Sequence, residues 1–422
     1  MIDASYGQLV RASRKRQRLS LRQLAAHPSV YGDHTRISKI ENGVEIGSER
    51  LARELDAALA AGGALVAAWR QAHLQRREAG DPMRRRTMLQ ALTALSIGAG
   101  TSPHSREALR HGLGLALGHD CSVEDWAEIA LDYARDFFTT APVQIVDEVA
   151  ADLVVLEQML DAETSPAVKR DLSTAGAQLS VVMAMGLASL GQHRHARRWW
   201  STAKTTADYA GEASTRMWVR DWEAVNGLYE RRPLGKVISL AEEGLAVSDT
   251  VCTGRAGLLS GVAQAKSVQG DAEGALAALA ELETVTADMP GAVRGDVDSM
   301  HGWPDFRLHH TASYVHTHLG DTRAAYTAQD AAFAIYPADL ARERTQMQMH
   351  RAACIIIDGD IPGGLDYAHG ALDDLPAELH NALLFQIGRK VIDVVPAAER
   401  SRPDAVELDR RMGTSALPAL ES

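Results

Sequence analysis

The chain has 422 residues, of which 46% are hydrophobic and 23% are charged, a composition that excludes an intrinsically disordered protein and predicts more than one domain. The net charge of -11 is unevenly distributed, because residues 1–86 carry +7 and the remaining residues carry -18. A basic N-terminal region on an acidic body favours contact with phosphate groups at one end of the chain only.

Cysteine usage and the N-terminus indicate the compartment. Cys121, Cys252 and Cys354 lie more than a hundred residues apart, a spacing that fits neither a disulfide framework nor a metal site. The first residues lack the basic and then apolar leader of an export signal. We therefore expect a cytoplasmic protein.

The most specific local pattern is a pair of short amphipathic helices near the N-terminus. Residues 6–16 predict a helix that precedes the pair, and Ser20 is placed to cap a second helix that runs to about Ala26. In a third helix, Ile37 and Ile40 face the core. The predicted breaks and turns around these helices are at Pro28, Gly32, Asp33 and Gly43.

A fourth helix, capped by Ser48, shows leucines at positions 51, 55 and 59 and ends at two glycines. These elements define a domain over residues 1–63, and residues 64–104 are predicted to form a helical linker. The linker contains Arg85 and Arg86 before an apolar run, which resembles a twin-arginine export signal. This run follows a whole domain and is too short to span a bilayer, so we favour a basic linker helix and expect no membrane partner.

The region from 105 to 422 shows helix after helix and, from residue 175, a weak repeat. Its marker is a loop with glycine and often aspartate, followed by alanines that open the next helix. The marker recurs at residues 191, 230, 270, 320 and 359, with spacings of 39, 40, 50 and 39. Such a period predicts one helix pair per repeat, stacked into a superhelix with a concave face.

The N-terminal pattern, with Leu19-Ser20, Leu24-Ala25 and the run from Ile37 to Gly43, resembles the XRE or lambda-repressor-like family of helix-turn-helix domains. The resemblance covers about residues 6–62. It implies that the third helix enters the DNA major groove and that Arg22 braces a phosphate, since Leu21 replaces the family's usual glutamine. The implied DNA-binding residues are Ser20, Arg22, Gln23, His34, Thr35, Arg36, Ser38, Lys39 and Asn42.

The C-terminal repeats resemble tetratricopeptide-type repeats, and the whole arrangement resembles Gram-positive regulators in which such a domain senses a small peptide. The expected fold is all-α, with an N-terminal helix-turn-helix bundle followed by a right-handed α-solenoid of tetratricopeptide-like helix pairs. Peptide sensing is an analogy, because a fold does not determine what it binds.

Aromatic residues are concentrated in one repeat region. Trp218, Trp222 and Tyr229 share a helical stripe that fits either core packing or an effector groove. Asn226, one of only three asparagines in the chain, fits either a structural hydrogen bond or contact with the backbone of a peptide. These four residues are the candidate effector site.

Catalytic and metal-binding patterns are missing from the sequence. It contains no Gly-x-Ser-x-Gly, no Walker-type loop and no His-Glu-x-x-His, so we expect neither an enzyme nor a cofactor. His309 and His316 share a helix face about 10 Å apart, too far for one ion, and His316 and His318 point to different sides. No metal site is expected.

The sequence therefore predicts a transcriptional regulator that binds operator DNA as a homodimer, because one small module gains specificity from two half-sites. The repeat domain would supply dimerisation and respond to a small effector such as a peptide. The alternative is a protein-interaction scaffold, in which the repeats bind a partner protein and DNA binding is secondary.

Overall fold

The computed structural model describes residues 6–27, 30, 34–42, 49–78 and 122–413, and within these residues every regular element is helical. The all-α prediction is therefore confirmed at this level. The chain divides into two compact units, Met1–Gly98 and Ala99–Ser422. Each unit has its own hydrophobic core, and the two are described separately.

The described helices of the first unit follow closely from the sequence pattern. Ser20 caps the second helix through a reciprocal pair, because its Oγ accepts from the Gln23 amide at 3.2 Å and Gln23 Oε1 accepts from the Ser20 amide at 2.8 Å. The predicted signals at Pro28, Gly32, Asp33, Gly43 and Ser48 lie outside the described residues. The helices are α1 Tyr6–Arg16, α2 Leu21–Ala25, α3 His34–Glu41, α4 Glu49–Ala58 and α5 Ala64–Glu78.

The core of the first unit extends beyond the predicted boundary at residue 63. Leu65 and Trp69 of α5 are 1% and 8% exposed and join the same hydrophobic cluster as Ile37 and Ile40. Asp56 fixes the start of α5 by accepting hydrogen bonds from the amides of Gly63 and Leu65, at 2.7 and 2.8 Å. The described part of the predicted linker, α5, therefore packs its apolar face into the core of the first unit.

The second unit begins, within the described residues, with α6 and continues through consecutive helices joined mostly by short turns. Its helices are α6 Val123–Asp136, α7 Pro142–Ala162, α8 Pro166–Ser189, α9 His193–Ala210, α10 Ala213–Tyr229, α11 Leu234–Leu245, α12 Thr253–Gln269, α13 Ala272–Ala287, α14 Gly291–Gly295, α15 Asp305–Leu319, α16 Thr322–Ile335, α17 Ala341–Ile357, α18 Ile361–Asp373, α19 Ala382–Asp393 and α20 Pro403–Gly413. Short 3₁₀ turns at Ala377–Leu379 and Ala397–Glu399 flank α19.

All five repeat markers lie in turns between two helices that pack against each other: α8 with α9, α10 with α11, α12 with α13, α15 with α16, and α17 with α18. Gly191, Gly270, Gly320 and Gly359 are in the left-handed conformation that ends a helix, and Arg231 adopts it in the remaining turn. The aspartates that follow three of these glycines cap the next helix by accepting an amide three residues on, which explains the Gly-Asp pattern.

The one long spacing, between markers 270 and 320, also has a structural cause. Helix α14 and the segment that leads from it to Pro304 are inserted between α13 and α15. This insertion carries Trp303, which is 5% exposed and donates its indole N–H to Thr286 Oγ1 at 3.0 Å. The extra residues therefore fold into the core of the unit.

Helix α8 is the single helix among the described residues that is long and apolar enough to cross a membrane. Its 18-residue apolar window has a mean hydropathy of 1.3, and 89% of that window is buried inside the protein. Its burial identifies α8 as the core helix on which α7 and α9 pack.

Candidate functional site

The first candidate site is the outer face of α3. Ile37 and Ile40 are fully buried, and the side chains between them point the other way. His34, Thr35 and Arg36 are exposed, as are Lys39 and Asn42, whereas Ser38 is half-buried and accepts a hydrogen bond from Asn42 Nδ2 at 3.4 Å. One face of α3 thus anchors the helix, and the opposite face presents polar and basic groups to solvent.

A buried ion pair holds α3 against α1. Arg14 Nε and Nη2 donate to the two carboxylate oxygens of Glu41 at 2.6 and 2.7 Å, and Arg14 Nη1 donates to the carbonyl of Leu19 at 2.7 Å. The side chains are 11% and 4% exposed, and this bidentate contact raises the pKa of Arg14. Glu41 therefore serves the interior of the unit.

The predicted contacts on α2 divide into two kinds. The Ser20 hydroxyl and the Gln23 side-chain carbonyl are engaged in the capping pair, which leaves the Gln23 side-chain NH₂ as a donor. Arg22 is exposed on the same helix. Ser20 thus has a defined structural role, and Arg22 is the α2 side chain that stays fully available to a phosphate.

The second candidate site is a cavity inside the second unit. It has a volume of about 150 Å³, and about 910 Å³ of unoccupied space when its opening to solvent is included. Helices α8, α10, α12, α15, α17 and α19 supply most of its walls. The lining residues are Phe137, Phe138, Met185, Ser189, Asp221, Trp222, Val225, Asn226, Tyr229, Gly257, Ser260, Gln264, Trp303, Arg307, His310, Thr311, Tyr336, Arg342, Glu343, Gln346, Asn381 and Leu383.

Three of the four predicted effector residues, Trp222, Asn226 and Tyr229, line this cavity. Asn226 donates from Nδ2 to the carbonyl of Trp222 at 2.8 Å, and its Oδ1 is buried without a partner. Trp218 is placed elsewhere, because its indole stacks on His301 at 4.6 Å and donates to the Met300 carbonyl at 3.1 Å. Of the residues on the predicted stripe, Trp218 therefore packs in the core, whereas Trp222 and Tyr229 line the cavity.

Charged side chains that the sequence analysis missed also line the cavity. Asp221 is 4% exposed and its Oδ2 has no hydrogen-bond partner in the described structure, and burial raises its pKa well above the usual range. Arg307 lies over the rings of Phe138, Trp222 and Trp303 at 5.4–5.9 Å, and its Nη2 donates to the Ser299 carbonyl at 3.1 Å.

A second acid and base in the lining do pair with each other. Arg342 Nε donates to Glu343 Oε1 at 3.1 Å, and Arg342 Nη2 donates to the carbonyls of Phe137 and Phe138 at 3.1 and 3.2 Å. Glu343 Oε2 remains buried without a partner. Arg342 therefore ties the end of α6 to α17, and Glu343 keeps one oxygen available.

Spacing along the helices gives a signal that could have found the missed residues. Asp221, Val225 and Tyr229 are four residues apart on α10, so an acid lies on the same face as the aromatic stripe. Arg307 has the same relation to His310 and Thr311 on α15. A charge on a face that is otherwise buried is an informative observation, whereas tryptophan clustering alone is ambiguous.

No group of three or more histidine, cysteine, aspartate or glutamate side chains in the described part of the chain is arranged to hold a metal ion. The histidines of α15 make ring and hydrogen-bond contacts with tyrosines: His310 Nδ1 contacts the Tyr336 hydroxyl at 3.3 Å, and His318 stacks on Tyr314 at 4.1 Å. Burial lowers the pKa of both histidines to about 4.

Comparison of the chain with known protein families, with curated proteins and with solved structures finds no match in any of the three.

Proposed function

We propose that this protein is a non-catalytic, sequence-specific DNA-binding regulator of the cytoplasm, in which α2 and α3 form a helix-turn-helix. The observation that carries the proposal is the division of α3, whose isoleucines are fully buried while Thr35, Arg36 and Lys39 are exposed. A helix anchored in this way can present donors to base edges and phosphates in a major groove. The net charge of +7 over residues 1–86 supports the same role.

The second unit has the proposed role of effector domain. Its helix pairs fit a right-handed solenoid of tetratricopeptide-like repeats, and the cavity with buried, unpartnered polar atoms fits a small-molecule site. We propose that the protein acts as a homodimer on two half-sites and that a ligand in the cavity biases its DNA-binding state.

The direct test is selection of bound sequences from a random double-stranded DNA library with the full-length protein, followed by titration of the selected site at several salt concentrations. We expect an enriched motif with two half-sites and a binding constant that falls steeply as salt rises. Failure to enrich any motif, together with recovery of one stoichiometric protein partner, would favour the scaffold function instead.

Variants of α3 locate the contact within the first unit. Arg36→Ala should weaken binding to the selected site by about 1–3 kcal/mol and relax the preference at one base position, whereas Lys39→Ala should lower the salt slope by about 1 if it contacts a phosphate. Arg70→Ala, which removes an exposed arginine from α5, is the matched control and should leave the motif unchanged. Unchanged binding by both α3 variants would disprove the role of this helix.

A further inference from the structure

One cavity in the second unit contains an acid and a base that do not pair with each other. Asp221 and Arg307 both line it, yet no ion pair within 4 Å joins either of them to another of the described residues. Burying an unpaired charge is unfavourable by several kcal/mol. A cavity shaped only by folding stability would therefore bring these two groups together or replace them with apolar side chains.

The other unpartnered atoms of the lining are mostly acceptors. Asn226 Oδ1 and Glu343 Oε2 are buried without a hydrogen bond, in addition to Asp221 Oδ2, and the Trp222 indole N–H is the single unpartnered donor of this set. Buried polar atoms are normally satisfied, so their concentration around one cavity indicates an absent partner. Three acceptors that include a carboxylate suit an ammonium group, which carries a positive charge and three N–H donors.

The ligand group that faces Arg307 must carry a negative charge. Its guanidinium is held by three aromatic rings and gives one hydrogen bond to a backbone carbonyl, so further donors are left for a ligand. A planar carboxylate is the group that matches this donor geometry in a bidentate manner. Trp222, whose ring Arg307 contacts, adds an indole donor beside it.

Charge balance restricts the ligand further. Arg342 and Glu343 neutralise each other through their ion pair, and Arg307 and Asp221, once a bound cation has ionised the latter, contribute one charge of each sign. A ligand with a net charge would leave one of the two unpaired groups unsatisfied, whereas a neutral molecule with separated charges satisfies both. The modest size of the cavity, about 150 Å³, favours a small molecule.

We propose that the cavity binds a small zwitterion of amino-acid to dipeptide size, with its ammonium on Asp221 and its carboxylate on Arg307. The aromatic walls then hold the remaining side chain of the ligand. The role of this zwitterion as an effector rests on the proposed function, in which a ligand of the second unit controls DNA binding. The binding itself is measured on the protein without DNA.

The screen uses thermal unfolding of the full-length protein with each standard L-amino acid and each glycyl dipeptide, at about 10 mM, followed by calorimetry of the compounds that stabilise. At least one zwitterion should raise the melting temperature by several degrees, and its N-acetylated and C-amidated forms should bind at least about tenfold more weakly. If a dipeptide binds more tightly than the free amino acids, the ligand is a short peptide. A panel in which no zwitterion stabilises the protein, or in which the blocked forms bind equally well, overturns the proposal.

Variants test the two anchors separately. Asp221→Asn and Arg307→Gln should each weaken binding of the confirmed compound by about tenfold or more. Arg307→Lys keeps the positive charge and replaces the glutamine variant if that variant unfolds. It should bind the compound with intermediate affinity. Asp152→Asn is the matched control, since Asp152 is also buried but lies outside the cavity and accepts the Tyr133 hydroxyl at 2.7 Å. Wild-type affinity in Asp221→Asn would refute the assignment.

DNA binding by the same preparations separates this inference from the proposed function. If a zwitterion binds in the cavity but the protein shows no sequence-specific DNA binding, the ligand assignment stands and the proposed regulatory function fails. Sequence-specific DNA binding by a protein that binds no zwitterion would do the reverse.

Discussion

The two units use charged side chains in opposite ways. The first unit pairs its buried acid, Glu41, with Arg14 and places Arg36 and Lys39 on an exposed helix face. The second unit turns Asp221 and Arg307 inward and leaves them unpaired in a cavity. Exposed charges suit a large polyanion and are screened by salt, whereas enclosed charges suit a small ligand and are screened much less. One chain thus contains two polar sites that differ in the environment around them.

The largest expected effect is the acid sensitivity of the second unit. Burial lowers the pKa of His301, His310 and His318 from 6.5 to about 4. Because the folded state binds fewer protons than the unfolded state between pH 6.5 and 4, their burial carries no ionisation penalty above pH 6.5, and this penalty grows as the pH falls toward 4. Unfolding followed by tryptophan fluorescence should show a loss of several kcal/mol over this interval.

The control for this prediction is His318→Phe, which keeps a ring on Tyr314. This variant should flatten part of the pH dependence. A stability of the second unit that is constant between pH 6.5 and 4 would contradict the buried, neutral state of these histidines.

The next largest effect is expected when the ion pair between Arg14 and Glu41 in the first unit is broken. Arg14→Ala leaves the 4%-exposed Glu41 carboxylate without its partner and should destabilise the unit by about 3–5 kcal/mol. Hydrogen exchange of the α1 and α3 amides in the full-length protein measures the change. The double variant Arg14→Met with Glu41→Leu should lose much less, and an equal loss in both would show that packing rather than the unpaired charge is responsible.

Removal of a buried charge in the second unit should instead increase the free energy of unfolding. Asp221→Asn removes a buried carboxylate whose Oδ2 has no hydrogen-bond partner in the described structure, so we expect the protein without ligand to gain about 1–3 kcal/mol at neutral pH. The folded pKa of Asp221 is raised, so its penalty is absent below its ordinary pKa and grows as the pH rises. Melting temperatures at pH 4 and pH 7 measure the gain, which should shrink at the lower pH.

The matched substitution Asp152→Asn should destabilise the protein, because that carboxylate accepts a hydrogen bond from Tyr133. A loss of stability in both aspartate variants would place Asp221 among ordinary structural residues and weaken the contrast between the two units.

The smallest expected effect concerns Ser20, which caps α2 and is also a predicted DNA contact. Ser20→Ala should cost the first unit about 1 kcal/mol, and Ser20→Asn should restore most of it because asparagine also caps helices well. Comparison of hydrogen exchange with DNA affinity distinguishes the two roles. A DNA affinity that falls in the asparagine variant while α2 stays protected would show direct contact by the hydroxyl.

Much of the fold is predictable because its signals are local. The cap at Ser20, the isoleucine spacing in α3 and the Gly-Asp turns each depend on residues within about one helical turn of one another, where short-range sterics and hydrogen bonds dominate. The predicted boundary at residue 63 does not account for the burial of Leu65 and Trp69, for a related reason. Burial of Leu65 and Trp69 depends on contacts with α1 and α4, which no local pattern encodes.

The cavity shows what the sequence alone leaves open. The chain by itself determines the helices, the turns that pair them and the stripe that contains Trp222, Asn226 and Tyr229. Only the tertiary structure separates Trp218 from that stripe and brings Asp221 of α10 to the same cavity as Arg307 of α15. The reason is physical: helix formation is governed by neighbours along the chain, whereas the partner or absence of a partner for a buried charge is decided by the packing of segments that are distant in sequence.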